Sequence, residues 1–175
     1  GEAIAYEALM RVDLPTISSP DTVLKMARAE GRLHDIERIT IFKASEAYLA
    51  LLRDKLVRSS DLLFLNSIAS QHMTEEENRE FANRFSMLQK NIVIEITEEE
   101  ALDHHSLEVK RSTPGFTGMF ALDDYGSGYS NDLSLLELSP LFIKIDLSIV
   151  RNIHTNPDKQ QIVSNIVSYA HQRNM

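Results

Sequence analysis

Ile92-Val93-Ile94-Glu95-Ile96-Thr97 is an apolar run broken by one carboxylate, and the fold turns on how it is read. Strand side chains alternate between faces, so Ile92, Ile94 and Ile96 share one side while Val93, Glu95 and Thr97 take the other. Three more runs repeat the pattern. Leu62-Leu63-Phe64-Leu65-Asn66 aligns Asn66 with Leu62 and Phe64, and Met119-Phe120-Ala121-Leu122-Asp123 aligns Asp123 with Met119 and Ala121. Phe142-Ile143-Lys144-Ile145-Asp146 aligns Lys144 and Asp146 with Phe142. Short apolar runs separated by helical patterns predict parallel strands covered on their outer face, hence an α/β chain. A polar residue late in such a strand is where active-site groups sit in parallel sheets and barrels. One strand-end carboxylate is ordinarily a loop start or a helix cap. Four polar strand ends in series point to a site, because buried charge is costly unless an ion or a counter-charge meets it.

Around these runs the spacing predicts helices over residues 21–30, 34–56, 74–88, 97–111 and 156–173, and strands over 62–67, 92–97, 116–123 and 141–146. Thr74 and Thr97 each precede a glutamate by three residues, Glu77 and Glu100, which is the capping-box spacing. Pro157 suits a first helical turn. Ile162, Val163, Ile166, Val167 and Ala170 form one apolar stripe, so the last helix is expected to pack on another surface. The opening segment 2–12 reads equally as helix or strand. Breaks at 13–20, 112–118 and 154–157 are short, with no repeat or linker, which predicts a single domain over residues 1–175.

The composition sets limits. Of 175 residues 43% are hydrophobic and 25% charged, 18 basic against 26 acidic, for a net charge of −8. That is a globular composition with no apolar run near the roughly 20 residues of a membrane span. A pI near 5.2 argues against duplex nucleic acid as partner, because phosphate binding leaves a basic footprint. Acidic residues that hold metals remain compatible with a small phosphate ester. There are no cysteines, which excludes disulfides, thiolate zinc and cysteine nucleophiles. The first eight residues lack a secretory pattern, so the default location is cytoplasmic. The length is also short of the roughly 250 residues of a typical (β/α)₈ barrel.

Asn, Glu and Asp are hard oxygen ligands, and they select magnesium or manganese over structural zinc. Asp123 and Asp124, adjacent at one strand end, suit a bridge between two ions, the arrangement that clamps an in-line attack on a phosphodiester. Lys144 adds a positive charge or a proton-handling group. The loop Asp123-Asp124-Tyr125-Gly126-Ser127-Gly128-Tyr129-Ser130 is a tight turn that needs glycine, and it is not a P-loop.

Taken together, these residues resemble the EAL domain family, the bacterial cyclic di-GMP phosphodiesterases. The resemblance rests on Glu7-Ala8-Leu9 with Met10-Arg11, Leu65-Asn66-Ser67, Glu95-Ile96-Thr97-Glu98, the Asp123–Gly128 loop and Lys144-Ile145-Asp146, in that order. It implies a TIM-type (β/α) barrel with an antiparallel first strand, which makes the opening segment a strand. It implies Glu7, Asn66, Glu95 and Asp123 as ligands of one Mg²⁺ or Mn²⁺, with Asp123 and Asp124 serving a second. Lys144 would lie near the attacking water, Arg11 on a substrate phosphate, Glu98 would steady the Gly126–Gly128 loop, and Asp146 would be a supporting partner; Tyr125 suits either stacking on a guanine base or packing around the loop. The implied reaction is hydrolysis of cyclic di-GMP to linear pGpG. The implied partners are a second copy in a homodimer and N-terminal sensory or GGDEF domains, which would also carry any membrane anchor.

Two departures shape the expectation. After Arg11 the family's tryptophan and His-Pro loop are replaced by Val12-Asp13-Leu14-Pro15, and the chain has no Trp. Beyond the last helix the family's Ala-Glu-Gly-Val-Glu strand, which carries a catalytic glutamate, and a final Gln-Gly unit have no counterpart. The barrel is therefore expected to be incomplete at the C-terminus, and this chain by itself to be an impaired fragment. The competing expectation is a non-catalytic EAL domain that serves as a cyclic di-GMP receptor or a protein-interaction module. The retained Glu7, Asn66, Glu95, Asp123, Asp124 and Lys144 favour the enzyme.

Overall fold

In the computed structural model, which describes residues 2–13, 17, 19–98, 100–102, 104–111, 118–127 and 132–175, the alternating pattern becomes one sheet flanked by helices. The elements are β1 (Ala5–Ala8), α1 (Pro20–Ala29), α2 (Leu33–Arg53), β2 (Leu62–Asn66), α3 (Glu75–Arg84), β3 (Ile92–Thr97), α4 (His104–Arg111), β4 (Phe120–Tyr125), α5 (Asp132–Leu138), β5 (Phe142–Ile145), α6 (Leu147–Val150) and α7 (Pro157–Gln172). Among the described residues the strands lie in the order β1-β2-β3-β4-β5 and every pair is parallel. The antiparallel first strand is therefore corrected. Ala5 to Ala8 run in register with Leu62 to Leu65, and the long crossover through α1 and α2 returns the chain to the end from which β1 started.

The two faces of the sheet do different work. Leu63, Leu65, Ile92, Ile94, Ile96, Phe120 and Leu122 point outward and pack against Ile41, Phe42, Tyr48, Phe81, Leu107, Leu135 and Leu138 of the helices. The inner face is a smaller cluster of Phe64, Val93 and Ala121, with Ala5, Leu62, Met119 and Phe142 against it. Phe64 of β2 meets Phe142 of β5 edge-on at 5.0 Å between ring centres. In a flat sheet those strands lie about 14 Å apart, so the sheet is curled into a half-barrel. Val93 and Ala121, short side chains on the two strands between, leave room for the rings to meet.

The starts of α1, α3 and α7 follow their caps. Thr74 Oγ1 accepts from the Glu77 N–H at 3.2 Å and Glu77 accepts from the Thr74 N–H at 2.8 Å, the reciprocal box expected at α3. Thr74→Ala should cost about 1 kcal/mol, a drop in Tm of roughly 3 °C read by thermal denaturation. The matching box at Thr97 is not formed. Pairing of Thr97 with Asp123 keeps Thr97 in β3, where its hydroxyl donates to Glu100 Oε2 at 3.2 Å. A short 3₁₀ turn, Glu100–Leu102, follows, and α4 begins only at His104.

Pro157 opens α7 as expected, with Asn156 as its cap. The apolar stripe of α7 is covered in part. Ile166 packs on the core, while Ile162 and Val167 stay exposed. No helix among the described residues is long and apolar enough to cross a membrane.

Candidate functional site

Curling brings together residues that the strand order keeps apart. Glu7 on β1 and Lys144 on β5 stand at opposite edges of the sheet, yet Lys144 Nζ lies 3.2 Å from Glu7 Oε1. The same ammonium is 2.5 Å from Glu95 Oε1 and 2.9 Å from Asp123 Oδ2. One oxygen from each of Glu7, Glu95 and Asp123 falls within 4.8 Å of the others. These residues continue the inner face at the C-terminal end of the strands, where parallel barrels carry their active sites.

Glu95 is the deepest of the three, 2% exposed. Neither of its carboxylate oxygens has a well-aligned hydrogen bond, so Lys144 meets it as a close charge contact and not as a directed donor. Burial pushes the Glu95 carboxyl up to about 7, with Glu7 and Asp123 adding to the rise and Lys144 opposing it. Lys144 is shifted upward in turn: burial works against its charge, and the carboxylates of Glu95 and Asp123 beside it outweigh that effect.

A folded-state carboxyl with a raised pKa holds its proton more tightly than the unfolded chain. Its contribution to stability is full below the ordinary 4.5 and is lost as pH rises to about 7. Without metal, Glu95→Gln should remove a decline of about 3 kcal/mol over that range. Asp124 and Glu100, both pushed up first by burial, leave some residual slope. Denaturation in a chelating buffer from pH 5 to 8 reads this, and parallel profiles for variant and wild type would refute it.

The remaining predicted residues are placed unequally. Asn66 ends β2 opposite Glu95 in the register, and its Nδ2 donates to Glu7 Oε1 at 3.4 Å, which sets it beside the cluster. Glu98 is buried, and its Oε2 accepts the Gly126 N–H at 3.2 Å, within reach of the predicted loop role. Gly128 and Tyr129 of that loop lie outside the described residues. Arg11 follows β1 and lines a cleft of about 640 Å³ together with Asn66, Thr97 and Glu37. Its guanidinium donates to the Met10 carbonyl at 3.0 Å.

Three of the predicted residues lie outside the cluster. Register shifts between Leu122 and Tyr125, and Asp124 has a φ of 55°, so one extra residue bulges from β4. Asp124 thus stands apart from the three-carboxylate cluster and is exposed, while its N–H donates to Asp123 Oδ1 at 2.9 Å. The bulge also reverses the alternation after Asp123. Tyr125 turns to the helix side and is buried there in the main core, so its ring is unavailable to stack on a base. Asp146 does not support the cluster. Its carboxylate accepts the Ser148 N–H at 2.8 Å and caps α6.

Sequence reading missed a second polar cluster, Glu37 on α2 with Lys110 on α4, 2.8 Å apart and buried between helices and sheet. A signal was present. Glu37 stands on the buried stripe of α2 with Ile41, Ser45 and Tyr48, and Lys110 three residues after the buried Leu107.

Fold and site define a class: a parallel α/β half-barrel with an acidic cluster and a lysine at the C-terminal ends of its strands. A family model for the EAL domain matches residues 1–175, and the chain belongs to that family. It is 27% identical over 175 residues to the signaling protein YkoW of Bacillus subtilis (strain 168), covering 95% of this chain and 21% of YkoW. It is 27% identical over 168 residues to the cyclic di-GMP phosphodiesterase PdeB of Shewanella oneidensis, covering 91% of this chain and 19% of PdeB. The chain thus spans a minor part of these relatives. Among solved structures, the PaMucR phosphodiesterase in complex with c-di-GMP superposes with a TM-score of 0.80 at 25% identity, covering 100% of this chain and 73% of that one. The Klebsiella pneumoniae BlrP1 calcium and cyclic di-GMP complex gives 0.73 at 25% identity, covering 98% and 43%.

Proposed function

We propose that this domain hydrolyses cyclic di-GMP to linear pGpG with divalent cations, Mg²⁺ or Mn²⁺, held by Glu7, Glu95, Asp123 and Asn66. The observation that carries the reading is the convergence of three carboxylates from β1, β3 and β4, with both oxygens of buried Glu95 lacking an aligned donor. A buried carboxylate with unfilled acceptor positions in an all-oxygen donor set suits a hard cation. The names of the relatives and the cyclic di-GMP complexes among the structural neighbours support the choice of substrate. Asp124, exposed at the bulge beside Asp123, is the remaining carboxylate for a second ion.

When bound, such ions lower the pKa of a water and draw charge from the phosphate. The chain does the rest. Glu7, Glu95 and Asp123 concentrate negative charge, and Lys144 meets all three. With cations held there, Lys144 Nζ would donate to the attacking water or to a phosphate oxygen. Arg11 holds the phosphate from the cleft side. Glu98, through the Gly126 N–H, holds the loop that follows Asp123 and Asp124. Hydrolysis forms one phosphorus–oxygen bond to water and breaks one phosphorus–O3′ bond, with the water proton passing to the leaving oxygen. The reading brings with it a single EAL domain over residues 1–175, a homodimer, sensory or GGDEF neighbours and a cytoplasmic setting.

The test is incubation of the protein that carries this domain with cyclic di-GMP and Mn²⁺, pGpG being followed chromatographically beside a calorimetric Mn²⁺ titration. Metal uptake with pGpG formation supports the reading. Cyclic di-GMP binding without Mn²⁺ uptake or turnover would replace it with a receptor.

A further inference from the structure

We propose that the buried Glu37–Lys110 pair is a positioning device that holds Asn66 in the acidic cluster; the inference rests on the metal reading above. Lys110 Nζ donates to Glu37 Oε1 at 2.8 Å, to Ser67 Oγ at 2.8 Å and to the Gln71 carbonyl at 2.7 Å, which uses all three of its protons. Ser67 Oγ donates to Glu37 Oε1 at 2.6 Å, and the Ile68 N–H donates to Glu37 Oε2 at 2.8 Å. Apart from the Lys110–Glu37 bond itself, these bonds close on the turn of residues 67–71, the segment that begins directly after Asn66.

The surroundings argue against a purely stabilising role. The pair lies beside a small cavity of about 20 Å³ whose walls include Ile41, Met73, Ile94 and Phe120. In such a place an ion pair gains little over two apolar side chains, because desolvation offsets the attraction. Apolar side chains, however, cannot hold a hydroxyl, an N–H and a carbonyl of one turn at once.

Asn66 depends on that grip. Its own bond to Glu7 is long, 3.4 Å, and its side chain is exposed, so its placement comes from the backbone. Ser67 points to the helix side and its N–H donates to the Glu95 carbonyl at 3.1 Å. With Ser67 anchored outward, alternation turns Asn66 inward, toward Glu7 and Glu95. Glu37 and Lys110 touch no ligand in this scheme; they act through residues 67–71.

The experiment measures Mn²⁺ affinity by calorimetry at low temperature for wild type, Lys110→Met, Asn66→Ala and the double variant. Lys110→Met is expected to weaken Mn²⁺ about tenfold, as loss of a support behind a metal ligand does. In the Asn66→Ala background it should weaken Mn²⁺ no further. Ser67→Ala keeps the ion pair and the fold, and removes one anchor of the turn; it should weaken Mn²⁺ a few-fold. It stands in if Lys110→Met does not fold.

Equal losses in both backgrounds, or unchanged affinity in folded Lys110→Met or Ser67→Ala, overturn the inference. The side-chain amide resonances of Asn66 in metal-free protein give a second readout. They should shift in Lys110→Met and Ser67→Ala. If the wild type takes up no Mn²⁺, the metal reading fails, and these resonances alone decide: moved, they support the positioning role; unmoved, they refute it.

Discussion

Asp123→Asn is expected to reduce Mn²⁺-dependent cleavage of cyclic di-GMP at least about a hundredfold, because losing a ligand should cost no less than losing one of the groups behind a ligand. The substitution is close to isosteric. Asn keeps an oxygen to accept the Asp124 N–H, which Asp123 Oδ1 accepts at 2.9 Å, so the bulge in β4 survives. What disappears is the charge at Oδ2, now 2.9 Å from Lys144 Nζ. Lys144 retains Glu7 and Glu95 and therefore stays in place. The deficit should appear as a fall in kcat together with weaker Mn²⁺ binding, with a Tm near that of the wild type. The comparison is made in the protein that carries this domain, wild type and variant side by side. Hydrolysis within a few-fold of wild type would refute Asp123 as a ligand.

The inner face of the sheet was legible from alternation alone. Asn66 follows Leu62 and Phe64, Glu95 follows Val93, Asp123 follows Met119 and Ala121, and Lys144 follows Phe142, which is the grouping found on the concave side. Alternation is a local rule and holds while the strand is regular. It failed at Asp124 and Tyr125, where the bulge inserts one residue and reverses the phase. Nothing in Asp-Asp-Tyr distinguishes a bulged from a regular strand, although Asp tolerates the positive φ better than most residues.

The direction of β1 depends on pairing across 53 residues of chain between Ala8 and Leu62, which no local pattern encodes. The helical stretch 97–111 was misjudged for a related reason. Pairing with Asp123 extends β3 through Thr97 and overrides the capping signal of Thr97 and Glu100. Proximity of Glu7 and Lys144 is also a tertiary fact, produced by the curl that brings Phe64 against Phe142.

Lys110→Met carries the largest expected change in stability. It leaves the Glu37 carboxylate, 2% exposed, without its counter-charge, and removal of one member of a buried pair costs about 3–5 kcal/mol. For a chain of 175 residues that is a fall in Tm on the order of 10 °C. The Ser67 hydroxyl and the Ile68 N–H still reach Glu37, but the Gln71 carbonyl loses its donor.

Adding Glu37→Gln should recover a good part of the loss. The amide removes the stranded charge and keeps an oxygen to accept from Ser67 or Ile68. The two substitutions are therefore strongly non-additive, with the double variant more stable than Lys110→Met alone. Urea denaturation of the wild type, both single variants and the double variant measures that coupling. Additive losses, or a cost below about 1 kcal/mol for Lys110→Met, would mean that the carboxylate finds solvent when its partner is removed. The burial of Glu37 beneath Ser67 and Ile68, on the side of α2 that also carries Ile41 and Tyr48, argues that it does not.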